Sequence, residues 1–182
     1  ARHNAYKQKR TMTNADLLNS DLAKREVAAI FRSDLTLMIS PVEITLLSEL
    51  FKVDSNLLHY LPFVFDDKQR QQSNPTYHQR SAFVSIGNFR HPPNWDCVLW
   101  LKQQIWPLIR QKLPKAELLI CGAYPPPKAT DLHDPKSGFL VKGWVDDAMQ
   151  TMQSARVCLA PLRFGAGIKG KLAEAMLCAT PS

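Results

Sequence analysis

Residues 161–181 read PLRFGAGIKGKLAEAMLCATP, and this stretch decides the fold class. The apolar run from Val157 to Leu162 predicts a strand that leads into a glycine-bearing turn. A helix over 168–178 is predicted next, because apolar residues recur there at the spacing of one helix face. The residues of that face are Ile168, Leu172, Ala175 and Met176. A strand, a turn and a helix in this order indicate an α/β unit with a parallel sheet.

The same turn combines several features that favour a bound anion. Gly165 and Gly167 allow the backbone to approach a guest closely. Lys169 and Lys171 fall in the first helical turn, where cations are normally disfavoured by the helix dipole and the unpaired N–H groups. Together these features predict a phosphate site, with Glu174 placed to accept hydrogen bonds from sugar hydroxyls. The alternative is a solvated helix start with a surface pair between Lys171 and Glu174.

Strands and helices alternate upstream of this turn. Strands are predicted over 82–86, 118–121 and 139–142, and helices over 95–113 and 147–155. This alternation predicts a doubly wound, Rossmann-like parallel sheet with helices on both faces. Ligands of such sheets bind beyond the carboxyl ends of the strands. A glycine closely follows each of four predicted strands, which indicates one cleft assembled from several strand ends. These glycines are Gly87, Gly122, Gly143 and Gly165.

The first third of the chain has its own pattern. A helix is predicted over 14–31, a buried strand over 35–39, a short helix over 43–52 and a further apolar run over 57–64. Residues 66–80 are polar and nearly free of apolar side chains. We therefore expect a domain piece at 1–65, a linker at 66–80 and a second domain at 81–182.

Composition narrows the function classes. The 182 residues are 45% hydrophobic, which is ordinary for a globular protein. Their net charge of +7 is compatible with an anionic partner. Residues 81–182 hold 12 basic and 7 acidic residues, so most of the surplus lies with the predicted phosphate site. No block of five like charges and no aromatic stacking motif occurs, and we expect no nucleic-acid partner.

Cysteine and histidine spacing argues against metal and disulfide chemistry. The four cysteines form no C-x-x-C pair, and the five histidines form no metal-binding motif. Reduced cysteines are typical of the cytoplasm, which is the expected location. No run of 18 apolar residues and no signal peptide is present, so we expect no membrane-spanning segment.

The turn resembles the nucleotide-sugar site of GT-B-type glycosyltransferases, in the large retaining group 1 set often called family four. Their pattern is an apolar strand, Pro-Leu, Gly-x-Gly-Ile-basic-x-Lys and Glu-Ala-Met. The matching residues here are Pro161, Leu162, Gly165, Gly167, Ile168, Lys169, Lys171, Glu174, Ala175 and Met176. Upstream, Ser85-Ile86-Gly87-Asn88-Phe89 and Pro93-Asn94-Trp95-Asp96 resemble the first strand and helix of the same nucleotide-binding domain.

The resemblance implies retaining transfer from a UDP-sugar or GDP-sugar to an acceptor hydroxyl, with no cofactor and no essential metal. Lys169 and Lys171 would hold the diphosphate, and Glu174 the ribose. The implied donor-binding residues are Gly87, Asn88, Arg90, Gly122, Trp144, Val145, Gly165, Gly167 and Ile168. Trp144 either stacks on the base or is a packed core residue.

Three positions depart from the pattern of that family. Asn88 stands near the place where many members have an Arg and a Lys. Ala166 occupies the place of an acidic residue, and Ala179 the place of the glycine that commonly ends the helix.

The resemblance also implies that 1–65 is the last part of an acceptor-side domain and that 81–182 is a truncated donor domain. We then expect weak nucleotide binding without turnover. The implied partner is a saccharide or lipid-linked acceptor in polysaccharide or glycoconjugate synthesis, at the inner face of a membrane. Two alternatives stay open: a phospho-ligand binding module without chemistry, and a sugar-nucleotide epimerase of the same architecture.

Overall fold

The computed structural model describes residues 2–66, 74–165 and 167–182, and the chain divides into two compact units. The first unit comprises Ala1–Phe65 and Phe164–Ile168. The second comprises Asp66–Arg163 and Lys169–Ser182. Within the predicted linker over 66–80, residues 67–73 lie outside the described part of the chain.

The first unit is built from four helices and a pair of strands in its described residues. The helices are α1 (Arg2–Lys7), α2 (Asn14–Leu18), α3 (Asp21–Ile30) and α4 (Pro41–Leu50), and the strands β1 (Thr36–Met38) and β2 (Leu58–Tyr60) pair in parallel. The single helix predicted over 14–31 is wrong. Ser20 interrupts it, since its hydroxyl accepts from the Ala23 N–H and caps a new helix.

The second unit contains a four-stranded parallel sheet in the order β5-β4-β3-β6. Its strands are β3 (Ser81–Ile86), β4 (Leu118–Cys121), β5 (Phe139–Gly143) and β6 (Ala155–Cys158). Its helices are α5 (Pro92–Trp100), α6 (Trp106–Lys112), α7 (Pro127–Thr130), α8 (Ala148–Ser154) and α9 (Gly170–Leu177).

Both faces of this sheet are buried, as the predicted doubly wound fold requires. Leu118 and Ile120 point to one face, where they pack with Leu101 and Trp106 of the α5–α6 segment and with Ala129 of α7. Neighbouring strand residues point to the opposite face, and there they pack against α8 and α9. The buried residues of this second cluster are Val84, Cys121, Met152, Ala155, Cys158, Ala175 and Cys178. The α/β fold class is confirmed.

The helix predicted over 95–113 begins earlier and contains a π-helical turn before Pro107. It begins after His91, because Pro92 and Pro93 suit the first helical turn. Between α5 and α6, residues Leu101–Ile105 form a π-helical turn in which the Trp106 N–H donates to the Leu101 carbonyl. The wider turn makes room for Pro107, which has no N–H and whose ring crowds the preceding turn.

The elements on either side of the turn that contains Gly165 and Gly167, here called the signature turn, are shorter than predicted. β6 ends at Cys158 instead of Leu162, and α9 begins at Gly170, so Ile168 lies before the helix. Met176 is 77% exposed, which shows that the predicted apolar face was wrong at this position. Ala175 and Cys178 are the residues of this segment that are buried in the second core cluster.

Buried Arg80 fastens the end of α9 to the start of β3. Its guanidinium donates to Pro75 O, to Thr180 Oγ1 and to Cys178 O, the last a carbonyl at the end of the helix. The side chain is only 4% exposed, and these hydrogen bonds offset the cost of burying its charge.

All four cysteines are buried and unpaired as thiols. Burial raises the pKa of Cys121 and of Cys158 to about 11, so neither is a thiolate at neutral pH. Among the described residues, no helix has the length and apolar character needed to cross a bilayer.

Ala179 adopts a left-handed conformation, with φ of 49°, immediately after α9. The turn is closed by the Thr180 N–H, which donates to the Ala175 carbonyl at 2.8 Å. We expect Ala179→Gly to stabilise the chain by about 0.5–1 kcal/mol, because only glycine adopts this conformation without a steric penalty.

Urea unfolding of the 182-residue chain would measure this gain. Ala173→Gly, inside α9, is the matched control and should lower the free energy of unfolding by about 1 kcal/mol. A loss of stability at position 179 would contradict the prediction.

Candidate functional site

The candidate site of the second unit lies where the direction of winding changes. From β3 the chain adds β4 and β5 on one side, and then crosses over to place β6 on the other side. The carboxyl ends of β3 and β6 are therefore neighbours, and they lead to α5 and α9 respectively. Such a switch point is the usual ligand crevice of open α/β sheets.

Three of the predicted glycines meet at the carboxyl ends of the strands. The Gly87 N–H donates to Cys121 O at 3.0 Å, and the Gly122 N–H donates to Gly143 O at 2.7 Å. A Cβ on Gly122 would lie 1.9 Å from the Gly87 carbonyl oxygen, and its φ of 154° also disfavours other residues. These glycines therefore permit close packing of neighbouring strand ends.

The loop between β3 and α5 is held by its own polar groups. Asn88 Oδ1 accepts from the Arg90 N–H at 2.8 Å, and Asn88 O accepts from the His91 N–H at 3.1 Å. The Arg90 guanidinium lies 3.9 Å from the centre of the Tyr124 ring. This cation–π contact keeps the Arg90 side chain beside the loop that follows β4.

Lys171, at the second position of α9, is half-buried and points toward α5. Its Nζ donates to Asn94 Oδ1 at 2.9 Å. Burial lowers the pKa of the Lys171 ammonium, and the charge of Lys169 acts in the same direction, while the Glu174 carboxylate opposes the shift. Within the described residues, Lys171 makes no ion pair with Glu174 below 4.0 Å. The alternative of a Lys171–Glu174 surface pair therefore does not explain the position of the Lys171 side chain.

Positive charge is concentrated around the start of α9. Lys169 is the residue at the N-cap of this helix, and its side chain makes no capping hydrogen bond. His91, at the N-cap of α5, has its pKa lowered by burial and by the nearby charges of Lys171 and Lys169. The starts of the two helices thus share one electropositive region, and His91 is neutral at pH 7.

Arg163 and Asp96 form a further contact, which the sequence analysis missed. The Arg163 guanidinium binds the Asp96 carboxylate through two hydrogen bonds, of 2.9 and 2.6 Å, and lies 4.9 Å from the centre of the Trp100 ring. This pair ties the segment after β6 to α5. Two features of the sequence could have indicated this pair. Arg163 stands shortly before the turn that contains Gly165 and Gly167, and Asp96 ends the segment Pro93–Asp96 that resembles the family.

Trp144 and Val145 follow β5. The Trp144 side chain is 68% exposed, and so it is not the packed core residue of the alternative interpretation. Val145 is half-buried against the second core cluster. An exposed indole beyond a strand end can stack on a planar ligand.

Residues Phe164–Ile168 belong to the first unit, and so the structure does not group Gly165, Gly167 and Ile168 with Lys171. The Phe164 ring stacks on His3 and Tyr6, with ring centres 4.9 and 4.7 Å apart. Gly167 has a φ of 65°, and a Cβ there would lie 3.6 Å from Glu43 Oε1. Ala166 lies outside the described residues.

In the described ranges, no group of three or more His, Cys, Asp or Glu side chains is placed to hold a metal ion.

The electrostatic coupling between α5 and α9 can be tested without a ligand. We expect Lys171→Ala to raise the pKa of His91, because a neighbouring positive charge that disfavours the imidazolium is removed. Lys169→Ala should raise it less. Titration of the His91 imidazole protons by NMR would measure both shifts. Lys115→Ala, before β4, is the control, and an unchanged His91 pKa in the Lys171 variant would show that the coupling is absent.

Comparison with known proteins agrees with this architecture. A family model described as "Glycosyl transferases group 1" matches residues 80–182. No curated protein sequence matches the chain. Anabaena Alr3699/HepE, solved in complex with UDP and glucose, is similar with a TM-score of 0.62 and 16% identity over 93% of this chain and 48% of that chain.

Two further solved structures are also similar in fold at low sequence identity. HepE in complex with UDP alone has a TM-score of 0.60 and 15% identity over 93% of this chain and 48% of that chain. TarM has a TM-score of 0.65 and 15% identity over 89% of this chain and 31% of its own. The chain thus spans less than half the length of these structures, and at such identity the likeness is one of fold.

The predicted GT-B-type fold is confirmed by these likenesses and by the parallel sheet of the second unit. Because the family model covers more than half of its residues, the chain belongs to the glycosyl transferases of group 1.

Proposed function

We propose that the protein is a glycosyltransferase that moves a sugar from a nucleoside-diphosphate sugar to an acceptor hydroxyl, and that the crevice between β3 and β6 binds the donor diphosphate. One observation carries the proposal: the half-buried Lys171 ammonium lies at the switch point, next to the start of α5. Membership of the family and the UDP complexes of HepE support it.

The chemistry fits an anionic leaving group. As the glycosidic bond breaks, the departing nucleoside diphosphate gains negative charge. Lys171, Lys169 and the N–H groups at the start of α9 are fixed positive groups that would stabilise that charge. Burial disfavours the isolated Lys171 ammonium, and a bound phosphate would offset this cost.

Other residues complete the proposed donor site. Glu174 lies one turn after Lys171 on α9 and would accept hydrogen bonds from the ribose. Exposed Trp144, with Val145, would lie against the base. Gly87, Asn88, Arg90 and Gly122 would border the donor.

The reaction is proposed to retain configuration and to need no metal ion, since Lys171 and Lys169 supply the positive charge. The acceptor is proposed to be a saccharide or lipid-linked hydroxyl of a polysaccharide or glycoconjugate, reached at a membrane surface. The proposals on configuration, metal ions and acceptor rest on the resemblance of the signature turn to the nucleotide-sugar site of GT-B-type glycosyltransferases.

Calorimetric titration with UDP and GDP tests the donor site directly. We expect Lys171→Ala to weaken binding by about tenfold to hundredfold, because a contact to a charged group is lost. Lys115→Ala removes the same charge before β4, at the amino end of the sheet, and should leave affinity unchanged. Glu174→Ala should weaken binding by about tenfold, with Glu117→Ala as its control.

Titration in the presence of EDTA tests the independence from metal ions, and affinity should persist. Nucleotide binding that is insensitive to both Lys171→Ala and Glu174→Ala would contradict the proposed site. That result would favour the module that binds a phosphorylated ligand elsewhere on the fold.

A further inference from the structure

Asn94 contacts the amino group on which the proposed donor site depends. It lies in the first turn of α5, 77 residues before Lys171, and its Oδ1 accepts from Lys171 Nζ at 2.9 Å. His91 is at the N-cap, and Asn94 is the third residue of the helix. Helix capping therefore does not explain its side chain.

The orientation of the Asn94 amide is determined by chemistry on both sides. Its Nδ2 donates to the Asn88 carbonyl at 3.0 Å. A lysine ammonium can only donate, and a carbonyl can only accept, so the amide oxygen has to face Lys171. On a third side Gly87 leaves the necessary room, because a Cβ there would lie 2.7 Å from Asn94 Cγ and Nδ2.

We infer that Asn94 is a positioning residue that holds the Lys171 ammonium in the crevice without neutralising it. This inference rests on the proposed function, because the retained charge is the charge that would meet the donor diphosphate. An ammonium has three protons, and Asn94 accepts one of them. A carboxylate at the same place would form an ion pair with Lys171 and repel a phosphate.

The same helix provides the contrasting case. Asp96, two residues further along α5, binds Arg163 through two hydrogen bonds with its carboxylate. That pair joins two segments and leaves little net charge. Lys171 comes from the same β6–α9 segment and meets a neutral amide instead. Two cations are thus fixed by one helix, and only the one paired with the amide keeps its charge for a ligand.

A double-mutant cycle tests whether Asn94 acts through Lys171. Kd values for UDP are measured by calorimetry for the unchanged chain, Asn94→Ala, Lys171→Ala and the double variant. We expect Asn94→Ala to weaken binding by about fivefold to twentyfold, and to have no further effect once Lys171 is alanine. An equal effect in both backgrounds would overturn the inference, because a merely structural role does not require Lys171.

Two further variants, Asn94→Asp and Gly87→Ala, and one control, Asn19→Asp, guard against misfolding as an explanation. Asn94→Asp places an acid in a first helical turn, which favours folding, and it should weaken UDP binding at least as much as Asn94→Ala. Asn19→Asp, on the exposed end of α2, adds the same charge and should have no effect. Gly87→Ala should also weaken binding, because the added methyl group displaces the Asn94 amide. Unchanged affinity in Asn94→Asp and Gly87→Ala would contradict the inference.

NMR separates this inference from the proposed function. In the absence of nucleotide, Asn94→Asp should raise the pKa of Lys171, read from its Cε and Nζ signals, since a carboxylate favours the ammonium. If that pKa responds but the unchanged chain binds no nucleotide, the donor site fails and the contact stands. If nucleotide binds and the pKa of Lys171 is unchanged in the Asn94→Asp variant, the donor site stands and the positioning role fails.

Discussion

A parallel sheet has to bury both of its faces, and the second unit of this chain follows from that constraint. Helices α5, α6 and α7 cover one face and α8 and α9 cover the other. To cover both, the chain reverses its direction of winding between β5 and β6. The reversal brings the carboxyl ends of β3 and β6 together, and with them the starts of α5 and α9.

The electrostatics of the crevice follow from this topology. The starts of helices carry partial positive charge, and Lys169 and Lys171 add full charges to the same region. Burial is the main cause of the lowered pKa values of Lys171 and His91. The charge of Lys169 lowers both further, and the charge of Lys171 also lowers the pKa of His91. Such a concentration of positive charge is costly by itself, and the phosphate of the proposed donor would offset this cost.

The side chains of Arg80, Arg163 and Lys171 differ in the groups that accept their hydrogen bonds. Arg80 and Arg163 are each held by several acceptors, and they fasten α9 and the segment after β6 in place. In the described part of the chain, the hydrogen-bond acceptor of Lys171 is the neutral amide of Asn94. The two arginines thus join segments of the fold, whereas the donor-binding role of Lys171 is the one proposed above.

The sequence by itself determined the elements and their class. The apolar runs at β3, β4 and β5 are local, and each is bounded by a glycine or by polar residues, so their limits could be predicted within one or two residues. The signature turn also identified Lys169, Lys171 and Glu174 as candidates, because glycines and lysines at a helix start are unusual in a short window. The break at Ser20 and the exposure of Met176 were missed, since capping and burial depend on neighbours.

Only the tertiary structure decided which residues meet. Asn94 and Lys171 are 77 positions apart, and Asp96 and Arg163 are 67 apart, so no local periodicity connects either pair. Their contacts depend on the strand order, which places β6 beside β3 instead of beside β5. Local patterns fix helices and strands because the backbone hydrogen bonds of each element are near in sequence. Contacts across a switch point are set by how the sheet buries both faces, and that is a property of the whole chain.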